Sequence, residues 1–357
     1  MNKSLIVFLI IFLIAAGTIN VFAKANEVNS KEFDLNQAIS RVLQENAEVK
    51  EAEQSLEKAK LEYQISEINN LREQSNYSEL EAEYNLKSSK KSYLDSRNEI
   101  IKETINQYSN VYLDKLNMTV LKKVMEAEKM LYEQYKSQNK LGEVTNIDLL
   151  EQFNNYQDAK FDYETAEDQY LQSLKQLKLT LALDLESNIS VERLAEPEIL
   201  KIGEKEALSQ ALNNNLEIKL GEISSQLKKI DQARSKITDS KLNKKIDSLE
   251  IKISNYNLKA LTNQHKISAQ DSYYSYQQAA KNMKLKKETY QESKNQFQLM
   301  KEKHQLGMST KTDLLQYEAN MLEAEYNYKS SISELYLAEQ SLKEELFMDT
   351  GVFDYEN

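Results

Sequence analysis

The residues able to do chemistry are few or badly placed for it. The chain has two histidines, His265 and His304, and no cysteine. The histidines stand far apart in sequence, each within a helical pattern, so both read as surface helix residues rather than as a ligand or general base. Without Cys there are no disulfides, no zinc–thiolate sites and no thiol for lipidation. The Asp and Glu side chains alternate with Lys along helix faces, where solvated i,i+4 pairing accounts for them. No Gly-rich phosphate loop and no Ser nucleophile elbow is present. The 21 tyrosines recur at stripe positions such as Tyr156, Tyr163 and Tyr328, which points to helix packing. These patterns predict a protein that is not an enzyme and needs no cofactor or metal.

One polar stretch stands out because it occurs twice. Leu141-Gly142-Glu143-Val144-Thr145-Asn146-Ile147-Asp148-Leu149-Leu150 reappears as Leu306-Gly307-Met308-Ser309-Thr310-Lys311-Thr312-Asp313-Leu314-Leu315. The two share Leu-Gly, a Thr three residues after the Gly, and Asp-Leu-Leu. The offset between the two glycines is 165 (307 − 142). Gly accepts positive φ just past a helix C-terminus. Thr caps the start of the following helix and a carboxylate suits its first turn. Each stretch therefore predicts a tight turn between two antiparallel helices, and the repeat predicts a duplication.

The elements that position these turns are long helices. The chain has 357 residues with one Pro and six Gly, which favours uninterrupted helix. From about Ser78 to Asn139, apolar residues such as Ile101, Ile105, Tyr108 and Tyr112 recur every three or four positions. Some sixty residues of helix span on the order of 90 Å. The return helix carries Leu149, Phe153, Tyr156, Ala159 and Tyr163 at the same spacing, a coiled-coil pattern. Asp34 is the expected N-cap of an earlier helix, Glu45-Asn46 marks a break, and the Asn-rich stretch Ser66 to Tyr77 predicts a bend. Glu186 to Glu204, with the one proline, Pro197, reads as a connector containing a short strand or helical turn. A helix is expected from Lys205 to Lys236, and a second bend between Ile237 and Ser248. Ala207 to Lys219 matches Ala38 to Lys50 at an offset of 169 (207 − 38), so about one helical turn is lost between the two landmarks.

Met1-Asn2-Lys3, the apolar run Leu5 to Ala16, and Val21-Phe22-Ala23 read as a secretory signal peptide. An uncleaved N-terminal anchor is the alternative. The expected organisation is a signal peptide (1–23), a first helical-hairpin repeat (24–185), a linker (186–204), a second repeat (205–350) and a tail (351–357). The formal charge is −11, and removal of the leader with its one Lys takes it to −12. Such a balance disfavours nucleic acid or an anionic membrane surface as the main partner.

Three further features recur in order: an Asp-Leu-x-x-Ala-Ile…Glu-Asn opening, the duplicated Leu-Gly-x-x-Thr-x-x-Asp-Leu-Leu turn, and Asn-x-x-x-Ala-x-x-x-Tyr. The last is read at Asn155, Ala159, Tyr163 and at Asn320, Ala324, Tyr328. Together with the leader, they resemble the TolC-type outer-membrane efflux proteins over nearly the whole mature chain. The resemblance implies an all-α chain of duplicated long antiparallel helical hairpins, assembled as a homotrimer into a coiled-coil helical barrel. It implies a place in the cell envelope and a part in efflux or type I secretion-type export. Partners would be a periplasmic adaptor (membrane fusion) protein and an inner-membrane pump. The residues mapping onto the partner-binding tips are Leu141, Gly142, Thr145, Asp148, Leu149, Leu306, Gly307, Thr310, Asp313 and Leu314. Gln316 stands where a second acidic residue would narrow the entrance beside Asp313. The family usually inserts two membrane strands between the first two long helices of each half. A transmembrane strand needs about 9–11 residues with one apolar face, and Ser66 to Tyr77 and Ile237 to Ser248 do not supply that. Leu80 to Leu86 and Leu249 to Ile253 alternate but are short and charged, and fit helix equally. Little or no β-barrel is therefore expected. A non-transporting structural or adaptor coiled coil of the envelope, and an anchored binding module, remain the competing readings.

Overall fold

The computed structural model describes residues 31–73, 75–235 and 240–348; the leader and the tail lie outside the described residues. In chain order the elements are β1 (Lys31–Phe33), α1 (Leu35–Glu45), α2 (Ala47–Glu73), α3 (Asn76–Lys140), α4 (Asn146–Thr180), β2 (Ile189–Val191), α5 (Glu204–Asn214), α6 (Leu216–Ser235), α7 (Lys241–Gln305) and α8 (Lys311–Glu345). The fold is all-α, with a two-stranded parallel pair, β1 beside β2, in the register Phe33 to Val191. None of the described helices is long and apolar enough to cross a membrane.

The duplication is visible in the element lengths. Helices α3 and α7 have 65 residues each, and α4 and α8 have 35 each. At 1.5 Å per residue the long pair spans about 100 Å. The four-residue difference in offset falls between Ala47 and Ser75 in the first half and between Leu216 and Ser240 in the second.

Caps set most of the boundaries. Asp34 caps α1 as expected, accepting from the Gln37 amide at 2.7 Å. Asn46 breaks α1 from α2, and its side chain accepts from the Val49 amide at 3.0 Å. The single helix expected from Lys205 is broken in the same way, because Asn215 accepts from the Ile218 amide at 2.9 Å. The bend expected over Ser66 to Tyr77 is far tighter. Helix α2 runs to Glu73 and α3 begins at Asn76, since neither Gly nor Pro interrupts the stretch. Its asparagines close the turn: Asn70 accepts from the Ser75 amide and donates to Glu79 at 2.8 Å. Leu80 to Leu86 and Leu249 to Ile253, the alternating stretches, are helical, as is 241–248 of the second expected bend. Residues 236–239 lie outside the described part.

The helices pack in two overlapping orders, α4–α3–α8–α7 towards one end and α2–α3–α6–α7 towards the other. The core sits where these orders overlap. Its largest buried side chains include Tyr108, Tyr276, Tyr336, Ile101, Ile105 and Leu335. Tyr108 is the midpoint of α3, equally far from Asn76 and Lys140. Its hydroxyl donates to the carbonyls of Phe33 (2.8 Å) and Glu192 (3.1 Å), binding β1 and the connector to the long helix. From the other half, Tyr336 donates to Ala195 O at 3.0 Å, and Tyr276 accepts from the Leu200 amide at 2.6 Å. These tyrosines do more than fill helix stripes: their hydroxyls satisfy connector backbone that burial takes out of water.

Candidate functional site: the paired hairpin tips

Each tip is assembled from three local devices, in the same order in both halves. First, the ascending helix stops in a Schellman motif. Gly142 (φ +75°) and Gly307 (φ +70°) take the left-handed position. The amide after each glycine reaches back to a carbonyl of the last helical turn, Glu143 to Gln138 at 2.9 Å and Met308 to Lys303 at 2.8 Å. Second, a side chain bridges the turn. Asn139 Nδ2 donates to Val144 O at 3.1 Å. At the equivalent place in the second tip, His304 Nδ1 lies 2.9 Å from Ser309 O, so that ring nitrogen carries the proton. Third, a capping box starts the descending helix. Thr145 Oγ1 accepts from the Asp148 amide at 3.2 Å, while Asp148 Oδ2 accepts from the Thr145 amide at 2.8 Å. Thr310 and Asp313 repeat this at 3.0 and 2.9 Å.

The tip carboxylates are committed to this structure. Hydrogen bonds from the Thr145 amide and then its hydroxyl hold Asp148 below the usual carboxylate range. For Asp313 the Thr310 hydroxyl leads and the amide follows. Gln316 hydrogen-bonds within its own helix to Asn320 at 3.0 Å. The apolar residues of the tips face solvent. Leu141 and Leu306 are 74% and 75% exposed, and Ile147 and Met308 are exposed beside them. Leu149 and Leu314 turn back into the hairpin, Leu314 the more deeply buried. Each tip therefore presents a hydrogen-bonded turn with a small apolar cap.

Both histidines, which the sequence offers no chemistry for, have structural roles. His304 locks its tip, as above. His265 is mostly buried and pairs through Nε2 with Glu217 at 2.7 Å, linking α7 to α6. It borders a cavity of about 160 Å³ with Lys91, Asp95, Asn215 and Glu345. Burial raises the Glu345 carboxyl above its ordinary range. Among the described residues no group of three or more His, Cys, Asp or Glu is placed to hold a metal ion.

A buried cation beneath the connector has no counterpart among the sequence patterns. Lys329 is 3% exposed and donates to Leu194 O at 2.5 Å. Burial, then the nearby Arg193 charge, pushes its ammonium down to about 8 from 10.5. Folding thus disfavours the charged form, and between pH 8 and 10.5 the unfolded chain binds the extra proton. Stability should rise with pH across that window, by up to about 1.4 kcal/mol per unit. Lys329→Met removes this term and leaves Leu194 O without its donor, a cost that does not depend on pH. Urea unfolding between about pH 7.5 and 9.5, below tyrosine ionisation, should show wild type gaining on the variant as pH rises. Parallel curves would contradict the assignment.

No family model and no curated protein matches the sequence. Solved structures do. The Campylobacter jejuni CmeC outer membrane channel is 15% identical at a TM-score of 0.63, covering 87% of this chain and 85% of that one. The Vibrio cholerae outer membrane protein VceC is 12% identical at 0.59, covering 87% and 95%. The open state of the Neisseria gonorrhoeae MtrE outer membrane channel is 15% identical at 0.57, covering 88% and 89%. The chain has the TolC-type fold of these channels. Within that fold it is a form in which α2 ends at Glu73 and α3 begins at Asn76, too short a connection for membrane strands.

Proposed function

We propose that this chain is one subunit of a homotrimeric helical conduit in the cell envelope, serving efflux or type I secretion-type export. Its paired tips dock a periplasmic adaptor, which links the conduit to an inner-membrane pump. The observation that carries this reading is the doubled tip: two equivalent hairpins end in the same hydrogen-bonded, apolar-capped turn, on a fold shared with outer membrane channels over 87% of the chain. Adaptor helices recognise such ends through apolar contacts and a fixed backbone shape. The chain's own chemistry is passive, and the tips contribute geometry rather than charge.

One observation favours a second reading. The tight α2–α3 turn that stands where membrane strands would be expected fits a non-transporting coiled coil of the envelope. A transport assay separates the two. Cells lacking this chain should accumulate a fluorescent efflux dye, and restoring the chain should reverse that. Equal dye levels with and without it, across several dye classes, would favour the structural coiled coil.

A further inference from the structure

Where the two halves meet, the cavity of about 160 Å³ beside His265 opens between α3, the start of α6, α7 and the end of α8. Four carboxylates line it, those of Asp95, Glu217, Glu344 and Glu345, against one lysine, Lys91. Three of the four have cationic or imidazole partners. Lys91 pairs with Asp95 at 2.8 Å and with Glu217 at 3.2 Å, His265 meets Glu217 at 2.7 Å, and Lys102 reaches Glu344 at 2.7 Å. Glu345 has neither a hydrogen bond nor an ion pair among the described residues. It is half-buried. Burial is the main cause that holds its carboxyl above the ordinary range, as expected of a carboxylate short of a partner.

A second group at the cavity stands open. Asn215 is 1% exposed and lines the same space. Its Oδ1 accepts from the Ile218 amide at 2.9 Å and caps α6, so the other end of the side-chain amide, Nδ2, is a donor. Nδ2 has no acceptor among the described residues. Buried side-chain donors are otherwise nearly always paired. Phe347 adds an aromatic ring, a surface that attracts cations, and Leu94 and Met348 add apolar wall. The cavity thus offers one open carboxylate, one open N–H donor and an apolar side. An anion would meet four carboxylates and a lysine already committed to two of them, whereas a cation meets a carboxylate with no partner. A cavity of this size holds a molecule of about six heavy atoms.

We propose that this cavity binds a small primary ammonium compound that also carries a hydroxyl or carbonyl oxygen, with the ammonium on Glu345 and the oxygen accepting from Asn215 Nδ2. The site does not depend on the conduit reading, since every group in it belongs to one chain. Isothermal titration calorimetry on the full chain tests it with three probes: propanolamine, propylamine, which lacks the oxygen, and propanediol, which lacks the ammonium. Propanolamine should bind at one site per chain. Propylamine should bind about tenfold more weakly, the usual effect of losing one hydrogen bond, and propanediol should give no heat of binding. Glu345→Gln keeps the shape and removes the charge, and should weaken both amines by about tenfold or more. Asn215→Ser keeps a helix cap and withdraws the amide donor. It should weaken propanolamine by about tenfold and leave propylamine unchanged. Circular dichroism checks that each variant is folded, and the comparison of the three probes on the wild-type chain stands without either variant. No heat of binding from propanolamine overturns the proposal. Binding that a folded Glu345→Gln leaves unchanged also overturns it, because the amine then sits elsewhere. So does propanediol binding as tightly as propanolamine, because the cavity then takes neutral ligands.

Discussion

Replacing Tyr108 by Ala should cost about 3–5 kcal/mol of stability, in line with removal of large buried aromatics. The ring is 1% exposed at the midpoint of α3, among Ile101, Ile105 and the β1–β2 pair. Its hydroxyl also satisfies the Phe33 and Glu192 carbonyls. Tyr108→Phe keeps the packing and removes only the donor, so it should cost less, about 1–2 kcal/mol. Urea unfolding of both variants separates the two contributions. A Tyr108→Ala loss below about 1 kcal/mol, far under the usual cost of such a truncation, would show that the central core does not hold the hairpins together.

The second large effect belongs to the tips and should leave the core alone. Proline fixes φ at about −65° and has no amide hydrogen. At Gly142 and Gly307 the backbone stands at +75° and +70°, and the glycine amides donate to Asn139 O and His304 O at 3.0 Å. Gly142→Pro/Gly307→Pro must therefore open both turns. The core at Tyr108 is about 50 Å away along α3, so helicity should stay close to wild type. Capture of the purified chain by an adaptor hairpin should be lost. Gly142→Ala/Gly307→Ala is the control. An added Cβ meets nothing within 4 Å at either position. The cost is then the left-handed strain alone, about 1 kcal/mol per site, and capture should persist. Undiminished capture by a folded proline double variant would remove the tips from the docking surface.

What can be read in the sequence depends on the range of the interactions concerned. The tips are legible because every group that makes them lies within a short stretch: a glycine for positive φ, then Thr and Asp three residues apart for a capping box. The long helices are legible from the three–four spacing and the shortage of Gly and Pro. The break at Asn215 sits inside an otherwise continuous helical pattern, and its signal is the alignment of the halves, which sets it opposite the break at Asn46. The width of the α2–α3 turn is hard to judge for a related reason. Polar, Asn-rich sequence suggests irregular backbone, yet Asn70 works from inside the helix to close the turn tightly. Non-local chemistry leaves no trace at all. Nothing around Lys329 or Tyr336 in sequence announces that each will meet a connector carbonyl, Leu194 O and Ala195 O, 135 and 141 residues earlier in the chain. The role of His304 becomes visible only on alignment of the halves, which sets it opposite Asn139.

The ring itself underlies the proposed function, since a conduit needs several copies and a lone hairpin pair encloses nothing. The mass of the purified chain, measured by light scattering in buffer and in mild detergent, tests it most directly. Three copies per particle are expected in at least one of these conditions. A single copy in both would contradict the conduit and leave an envelope coiled coil of the same fold.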